Sequence, residues 1–305
     1  MKTTKIEDMS QTEFNIYENL KGQVNAIFKH SHECAYKTRE TYQERMDVFC
    51  KFMAIEYRKQ NIGKITNDHL THYVQYLQDK GLSTSYVTTS MSAIRYFYKK
   101  AVGEKFKIKS NKALGVEART KDERIGKDRA VKDEEFNDLL EKIRDEGKKE
   151  YEFAIKIGRT LGFRIHEFYK LRKSQIKEAV INGEIKVKGK GGYIRTIPLG
   201  SIEISLLKEV LKDCKSDNDR IFVQKNEKTH IKIKSLEDYI RNSRNENGQT
   251  YTYHSLRHAY AQNLYKSLLK QGISDYEARM IVSHRLGHNR LEISEIYLNG
   301  IEENK

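Results

Sequence analysis

The front part of the chain carries apolar residues at the spacing of amphipathic helices. Val87, Met91, Ile94 and Tyr98 recur every three or four positions, so they lie on one face of a predicted helix. Earlier stretches carry further apolar positions, which are Tyr42, Phe49 and Phe52, and then Ile65, Leu70, Tyr73 and Leu77. The pattern predicts a small helical domain over residues 27–103.

The rear part, residues 130–305, is predicted to be helical apart from one short strand pattern. This pattern consists of Ile185 and Val187 alternating with lysines, a glycine-rich turn at 189–192, and then Ile194, Ile197 and Pro198. Alternation before such a turn, with further apolar residues after it, is typical of a β-hairpin, and a proline favours the edge of a sheet. The expected fold is therefore mainly α with a small β-hairpin, in two domains.

Two helix starts are predicted near the end of the chain. A helix that starts near Ser255 would display His254 and Arg257 on one face, because they are three positions apart. Its inward positions would be Leu256, Ala259, Tyr260 and Leu264. The run Ser274-Asp275-Tyr276-Glu277 has the capping-box pattern, which satisfies backbone N–H groups of a first helical turn. It predicts a helix that leads to Leu286.

Charge narrows the choice of partner. The chain has 57 lysines and arginines against 43 aspartates and glutamates, for a net charge of +14. This excess favours a polyanionic partner. DNA fits, and so do RNA, ribosomes and an anionic membrane.

Residues 104–129 are rich in lysine and poor in apolar residues, which predicts a basic linker. Lys105, Lys107 and Lys109 alternate as in an extended strand, and we interpret them as contacts to phosphates. If the partner is duplex DNA, two domains joined in this way would close around it as a clamp.

Several classes of protein are not expected. The chain has no run of about 18 apolar residues, and its first residues lack the apolar core of a signal peptide. We therefore expect a cytoplasmic protein that does not enter a membrane. Cys34, Cys50 and Cys214 are scattered and form no CxxC pair, so neither a disulfide framework nor a structural zinc is suggested. No metal and no cofactor are expected.

Six residues of catalytic type occur in order in the rear domain. They are Arg164 in Gly162-Phe163-Arg164-Ile165-His166-Glu167, Lys190 in the glycine-rich turn, His254 and Arg257 in His254-Ser255-Leu256-Arg257-His258, His288 in Leu286-Gly287-His288, and Tyr297. Each alone has an ordinary explanation, such as an ion-paired arginine, a solvated lysine or a helix C-cap. Together, with nine positions from the last histidine to the tyrosine, they resemble the tyrosine recombinase family, also called phage integrases.

The resemblance implies that DNA strands are cut without a metal ion. Tyr297 would attack the phosphorus and form a 3′-phosphotyrosyl link, which a second DNA end can reverse. Arg164 and Arg257 would hold the two non-bridging oxygens, because a planar guanidinium donates as a fork that a lysine cannot reproduce.

The remaining roles concern protons and support. Lys190 would protonate the leaving 5′-oxygen from the tip of the hairpin; Lys188 is the competing candidate, and we interpret it as a phosphate contact. The family assigns proton exchange with the tyrosine to His254 and a phosphate hydrogen bond to His288. Glu167 lies about one helical turn after the first arginine, where its carboxylate could hold a neighbouring basic side chain.

The resemblance also implies domains and an assembly. Residues 27–103 resemble the SAM-like core-binding domain of the family, and residues 130–305 resemble its α+β catalytic domain. Arg95 and Lys99 would face the DNA backbone, although a solvated helix face explains them equally well. A homotetramer on double-stranded DNA with inverted half-sites, exchanging strands through a Holliday junction, is expected, and accessory DNA-bending proteins are further candidate partners.

Two other functions fit parts of the sequence. A type IB topoisomerase shares the catalytic residues but relaxes supercoils as a monomer, and the bacterial-type front domain favours recombination instead. A DNA-binding protein with a decayed site would also be basic. Decay of such a site would be expected to replace at least one catalytic-type residue. All six are present, which argues against this alternative.

The two ends of the chain bear on how protomers would contact one another. Eight residues follow Tyr297, too few for the helix with which family members dock on a neighbouring protomer. We therefore expect protomer contacts from the N-terminal segment, residues 1–26. Its apolar positions, at helical spacing, are Phe14, Tyr17, Leu20 and Val24.

Overall fold

The computed structural model describes residues 9–29, 36–103, 107–189, 192–214, 219–246, 248–288 and 291–302. The chain forms two compact units, Met1–Lys121 and Asp122–Lys305. No described helix is long and apolar enough to cross a lipid bilayer. Within the same described ranges, no group of His, Cys, Asp or Glu side chains could hold a metal ion.

In its described residues, the first unit contains the α-helices α1 (Gln11–Lys29), α2 (Tyr36–Tyr57), α3 (Asn67–Asp79) and α4 (Thr84–Val102). Helix α4 buries the face that the sequence predicted, and Val87, Met91 and Ile94 are almost completely shielded from solvent. Thr66 and Ser83 cap α3 and α4, because their hydroxyls accept hydrogen bonds from backbone N–H groups of the first turn. The predicted helices of this unit are confirmed.

Helix α1 contains most of the N-terminal segment, residues 1–26, from which protomer contacts are expected. It continues without a break through residue 26 and packs against α2 and α4. Tyr17, Leu20 and Val24 are at most 4% exposed, and Phe14 packs against the same core. These apolar side chains are covered within their own unit, so they are not an open surface for a neighbouring protomer. Protomer contact through the rest of the N-terminal segment stays a prediction.

The predicted basic linker, residues 104–129, is not uniform in structure. Lys105 lies outside the described residues, whereas Lys107 and Lys109 are exposed and belong to no strand. Further along, Leu114 is fully buried in the core of the first unit. Residues 107–110 are assigned no helix or strand, and contact of their lysines with phosphates stays a prediction, whereas Leu114 anchors the later part of the segment to the first unit.

The second unit is mainly helical. Its elements after α5 (Lys121–Ile125) are α6 (Asp133–Asp145), α7 (Lys149–Leu161), α8 (Ile165–Phe168), α9 (Lys173–Asn182), β1 (Glu184–Lys188), β2 (Ile194–Pro198), α10 (Ser201–Asp213), α11 (Thr229–Glu246), α12 (Tyr253–Lys270), α13 (Asp275–Arg285) and α14 (Leu291–Glu302). Strands β1 and β2 pair antiparallel, with Ile185 opposite Ile197 and Val187 opposite Arg195. The predicted hairpin, and the mainly helical fold class, are confirmed.

Helix α12 lies at the centre of this unit. Leu256 and Ala259 belong to the core that includes α7, while Tyr260 belongs to a second core with α13 and α14. Helix α13 begins as predicted, because the Ser274 hydroxyl accepts a hydrogen bond of 3.3 Å from the backbone N–H of Glu277. The packing brings the first turn of α12 close to the end of α13 and to α14.

Candidate active site

The first turn of α12 carries His254 and Arg257, followed by His258. The turn is fixed at its start, because the backbone N–H of Thr252 donates a hydrogen bond of 3.0 Å to the Ser255 hydroxyl. His254 and Arg257 therefore project from one side of the helix, as the spacing predicted.

Arg257 is fully buried at the meeting point of two helix ends. Its Nη1 and Nη2 donate to the carbonyl oxygens of Gly162 and Leu286, which directly follow α7 and α13. Carbonyl groups at helix C-termini lack helical partners and carry a partial negative charge, so they hold the guanidinium in place. Burial lowers the pKa of Arg257 to about 10, and the side chain stays charged at neutral pH.

Arg164 reaches the same end of α13. Gly162 ends α7 in the left-handed conformation, with a φ of +63°, and the chain then turns to place Arg164 before α8. Its Nη2 lies 3.4 Å from the carbonyl oxygen of Leu286 and 3.3 Å from Nε2 of His288. The two predicted catalytic arginines thus converge on one carbonyl group.

A third arginine in this group was not predicted. Arg195 on β2 donates to both carboxylate oxygens of Glu167, each at 2.8 Å, and Glu167 also accepts from Nη1 of Arg164 at 2.9 Å. Arg195 lies on the inward face of β2 together with Ile197. Its position two residues before Ile197 was a signal for its burial, but the apolar residue Ile194 on the opposite face obscured that signal.

The turn at Gly287 and His288 folds back onto α13. Gly287 has a φ of +72°, which glycine adopts without strain. The backbone N–H of His288 then donates to the Ser283 carbonyl oxygen at 2.9 Å. Burial, and then the charges of Arg257 and Arg164, lower the pKa of His288 to about 4.

Tyr297 lies on α14 and is 5% exposed. Its hydroxyl is 3.5 Å from Nε of Arg257 and 3.5 Å from Nε2 of His254, and its ring centroid is 4.5 Å from that of His258. Burial, and then the charges of Arg257 and Arg164, lower the pKa of His254 to about 4. His254 is therefore neutral at physiological pH and can accept a proton from the tyrosine.

Of the six predicted catalytic residues, the described part of the second unit brings five together, namely Arg164, His254, Arg257, His288 and Tyr297. Lys190 lies outside the described residues. Its neighbour Gly189 approaches the site, since a side-chain carbon at Gly189 would lie 3.5 Å from Nη1 of Arg164. Lys188 is exposed at the end of β1.

The predicted DNA-binding residues of the first unit lie on α4 and on the segment after it. Lys99 is exposed near the end of α4. Arg95 donates to Oδ1 of Asn111 and to the carbonyl oxygen of Lys109, both at 2.7 Å. These bonds fix the segment after α4, and contact of Arg95 with DNA stays a prediction.

A cavity of about 500 Å³ opens beside Arg164 and His254. Arg241 and Arg244 of α11 line it, and Arg244 also donates to the carbonyl oxygen of Tyr251 at 2.8 Å. The sequence reasoning missed these two arginines, because nothing in the pattern of α11 links them to the catalytic group.

The geometry of the site defines a class of protein. A buried tyrosine hydroxyl lies between an arginine and a neutral histidine, and a second arginine stands nearby, where it can stabilise negative charge. This is an arrangement for transferring a phosphoryl group to the tyrosine, which is the chemistry of the tyrosine recombinases.

Sequence comparison gives the family. The model of the phage integrase family matches residues 129–303, and that of the phage integrase N-terminal SAM-like domain matches residues 28–105. The chain belongs to the phage integrase family.

Individual relatives span nearly the whole chain. Tyrosine recombinase XerC of Natranaerobius thermophilus is 26% identical over 92% of this chain and 91% of its own length. Tyrosine recombinase XerD of Halalkalibacterium halodurans is 24% identical over 85% of this chain and 86% of its own length.

Solved structures share the fold. XerH recombinase in a post-cleavage complex with a palindromic difH substrate has a TM-score of 0.65 at 20% identity, covering 99% of this chain and 91% of that one. A lambda integrase tetramer bound to a Holliday junction has a TM-score of 0.61 at 15% identity, covering 91% of this chain and 76% of that one.

Proposed function

We propose that this tyrosine recombinase cuts and rejoins DNA at specific sites through a 3′-phosphotyrosyl intermediate on Tyr297. The observation that carries the proposal is the hydroxyl of Tyr297, 3.5 Å from both Nε of Arg257 and Nε2 of His254. In the cleavage step, the tyrosine oxygen forms a bond to phosphorus while the bond from phosphorus to the 5′-oxygen breaks. His254 takes the tyrosine proton, and Lys190 donates one to the 5′-oxygen.

Arg164 and Arg257 are assigned to the non-bridging oxygens of the phosphate. Each guanidinium carries five N–H donors, and the bonds to Leu286, Gly162 and Glu167 use only some of them. The bonds to these fixed groups hold both side chains in place before DNA arrives. Donors that need not reorganise during the reaction stabilise a transition state most effectively.

The neutral state of His254 suits a proton acceptor. Burial and the neighbouring arginines keep it unprotonated in the free protein. A bound phosphodiester adds a negative charge near the arginines, which makes protonation of His254 easier when the tyrosine attacks.

Lys190 is proposed as the general acid because Gly189, the residue before it, lies beside Arg164. Lys190→Ala should slow cleavage of an ordinary phosphodiester. The rate should recover on a substrate with sulfur at the 5′-bridging position, because a thiolate leaves without a proton. A lack of recovery would assign Lys190 to binding instead.

The proposed partner is double-stranded DNA with inverted half-sites, on which the protein works as a homotetramer through a Holliday junction. The shared fold with a lambda integrase tetramer on such a junction supports this assembly. Proposed phosphate contacts are Arg95, Lys99, Lys105, Lys107, Lys109 and Lys188, together with Arg241 beside the cavity. A cytoplasmic location follows from this substrate, and accessory DNA-bending proteins are proposed as further partners.

The test is to trap the intermediate. The protein is incubated in EDTA with nicked duplexes tiled across the DNA that flanks its gene, and SDS-resistant adducts are mapped by peptide analysis. An adduct on Tyr297 that is absent from Tyr297→Phe supports the proposal. Binding without an adduct contradicts it, and relaxation of supercoils without strand exchange would indicate a topoisomerase.

A further inference from the structure

A short segment of the second unit, residues 126–130, lies across the helix that carries Tyr297. We call this segment the strap. Asn299, two positions after the tyrosine, donates through Nδ2 to the carbonyl oxygen of Gly126. The strap and α14 are thus joined by a side-chain hydrogen bond next to the nucleophile.

Gln262 of α12 links the strap to the tyrosine itself. Its side chain is buried, and its Nε2 donates to Oδ1 of Asp128 at 2.9 Å and to the backbone carbonyl oxygen of Tyr297 at 3.4 Å. Oδ1 of Asp128 also accepts from the backbone N–H of Ala130 at 2.9 Å, which fixes the carboxylate within the strap.

Gly300 makes this close approach of the strap possible. A Cβ atom at Gly300 would overlap the Asp128 carboxylate. A larger residue at position 300 would force Asp128 to turn away and to release Gln262. The glycine, which weakens a helix interior relative to alanine, therefore has a packing reason to be there.

The tyrosine needs such support because its polar contacts are long. The hydroxyl is 3.5 Å from both Arg257 and His254, at the outer limit of a hydrogen bond. A small shift of α14 would separate the hydroxyl from both groups. Misplacement of a reacting group by about 1 Å is enough to slow a reaction about 100-fold.

We propose that Asp128, Gln262 and Asn299 are positioning residues, which hold α14 so that Tyr297 stays in the active site of its own protomer. The proposal rests on Tyr297 as the nucleophile. Under this proposal, the last residues of the predicted basic linker help to hold the nucleophile in place, in addition to any contact that they make with phosphates.

The first measurement is single-turnover cleavage of the nicked duplex, with DNA affinity measured in parallel. Asp128→Ala and Gly300→Ala should cleave about 10- to 100-fold more slowly than the unmodified protein, with unchanged DNA affinity. Asp128→Asn should keep most of the rate, because its amide oxygen still accepts from Gln262. The matched control is Glu292→Ala, an exposed position on α14, which should change neither quantity.

The second measurement does not depend on DNA cleavage. Hydrogen exchange of the α14 amides in the free, folded protein should be faster in Asp128→Ala than in the unmodified protein and in Glu292→Ala. Equal exchange rates in the three proteins would overturn the proposal that the strap holds α14, whether or not the protein forms a DNA adduct. Equal cleavage rates for Asp128→Ala and the unmodified protein would also overturn the positioning role of Asp128. The role of Tyr297 as nucleophile would not be affected by that result.

Discussion

The carboxylate of Glu167 accepts two parallel hydrogen bonds of 2.8 Å from Arg195, and both side chains are almost completely shielded from solvent. The same carboxylate accepts from Nη1 of Arg164 at 2.9 Å and from its backbone N–H at 2.7 Å. Burial opposes ionisation of Glu167, but the hydrogen bonds and charge of Arg195 outweigh it and lower the pKa to about 2. One buried carboxylate therefore ties β2 to a predicted catalytic arginine.

Removal of Arg195 should be strongly destabilising. Arg195→Ala leaves the Glu167 carboxylate buried without its main partner, which typically costs about 3–5 kcal/mol. Urea unfolding at neutral pH measures this loss. Cleavage should also slow, because Arg164 loses the fixed carboxylate that orients it.

Arg172→Ala is the matched control for this prediction. Arg172 pairs with Asp219 at 3.3 Å, but its side chain is 60% exposed, so its loss should cost about 0–1 kcal/mol. Equal losses of stability in the two variants would show that burial does not set the strength of the Glu167–Arg195 pair.

Arg195 also shows where sequence reasoning reached its limit. Arg195 lies on the inward face of β2 with Ile197, whereas Ile194, an apolar residue of the predicted strand, is exposed on the opposite face. A charged side chain on such a face is unfavourable unless a partner neutralises it. That partner, Glu167, is 28 positions earlier in the chain, and no local pattern connects the two.

Helix α1 shows a second limit of the sequence. The spacing of Tyr17, Leu20 and Val24 correctly indicated an amphipathic helix. Periodicity shows that a helix face is buried but not what covers it, and α2 and α4 cover this one. The order of motifs along the chain carries information that single residues lack, and it singled out five candidate catalytic residues that the described structure brings together.

Gly162 should tolerate alanine poorly, and Gly183 offers a matched comparison. Both end a helix in the left-handed conformation, with φ values of +63° and +68°. A Cβ at Gly162 would overlap the ring of Tyr260, whereas a Cβ at Gly183 would meet no described atom within 4 Å beyond its own chain neighbours. Gly183→Ala should cost about 1 kcal/mol through its backbone, and Gly162→Ala about 1–3 kcal/mol more through overpacking.

Chemical denaturation of both glycine variants checks this difference. Gly162→Ala should also reduce cleavage, because the carbonyl group of Gly162 holds Arg257. If both variants lose the same stability, the contact with Tyr260 does not constrain position 162.

DNA affinity should fall steeply as the salt concentration rises. A net charge of +14 and exposed lysines such as Lys107 and Lys109 favour binding through phosphates. About six such contacts would reduce the affinity about 1000-fold between about 50 and 200 mM salt. Fluorescence anisotropy with one duplex at several salt concentrations measures the slope, and an affinity that barely changes would contradict a clamp built on phosphate contacts.

His258 should make the folded protein sensitive to mild acid. It is 2% exposed, its Nδ1 has no hydrogen-bond partner among the described residues, and burial, followed by the charge of His254, lowers its pKa to about 3. The folded state therefore favours the neutral ring. The resulting stabilisation is complete above the unfolded pKa of about 6.5 and is lost as the pH falls toward the folded pKa.

The phenylalanine variant of His258 isolates this effect. His258→Phe keeps an aromatic ring against Tyr297 but cannot titrate, while His254 and His288 still titrate in both proteins. Between about pH 7 and about pH 5, the unmodified protein should lose about 2 kcal/mol more of its free energy of unfolding than His258→Phe. Urea unfolding of both proteins at the two pH values measures the difference. Parallel losses would mean that His258 is protonated as easily in the folded protein as in the unfolded chain, which its burial against Tyr297 argues against.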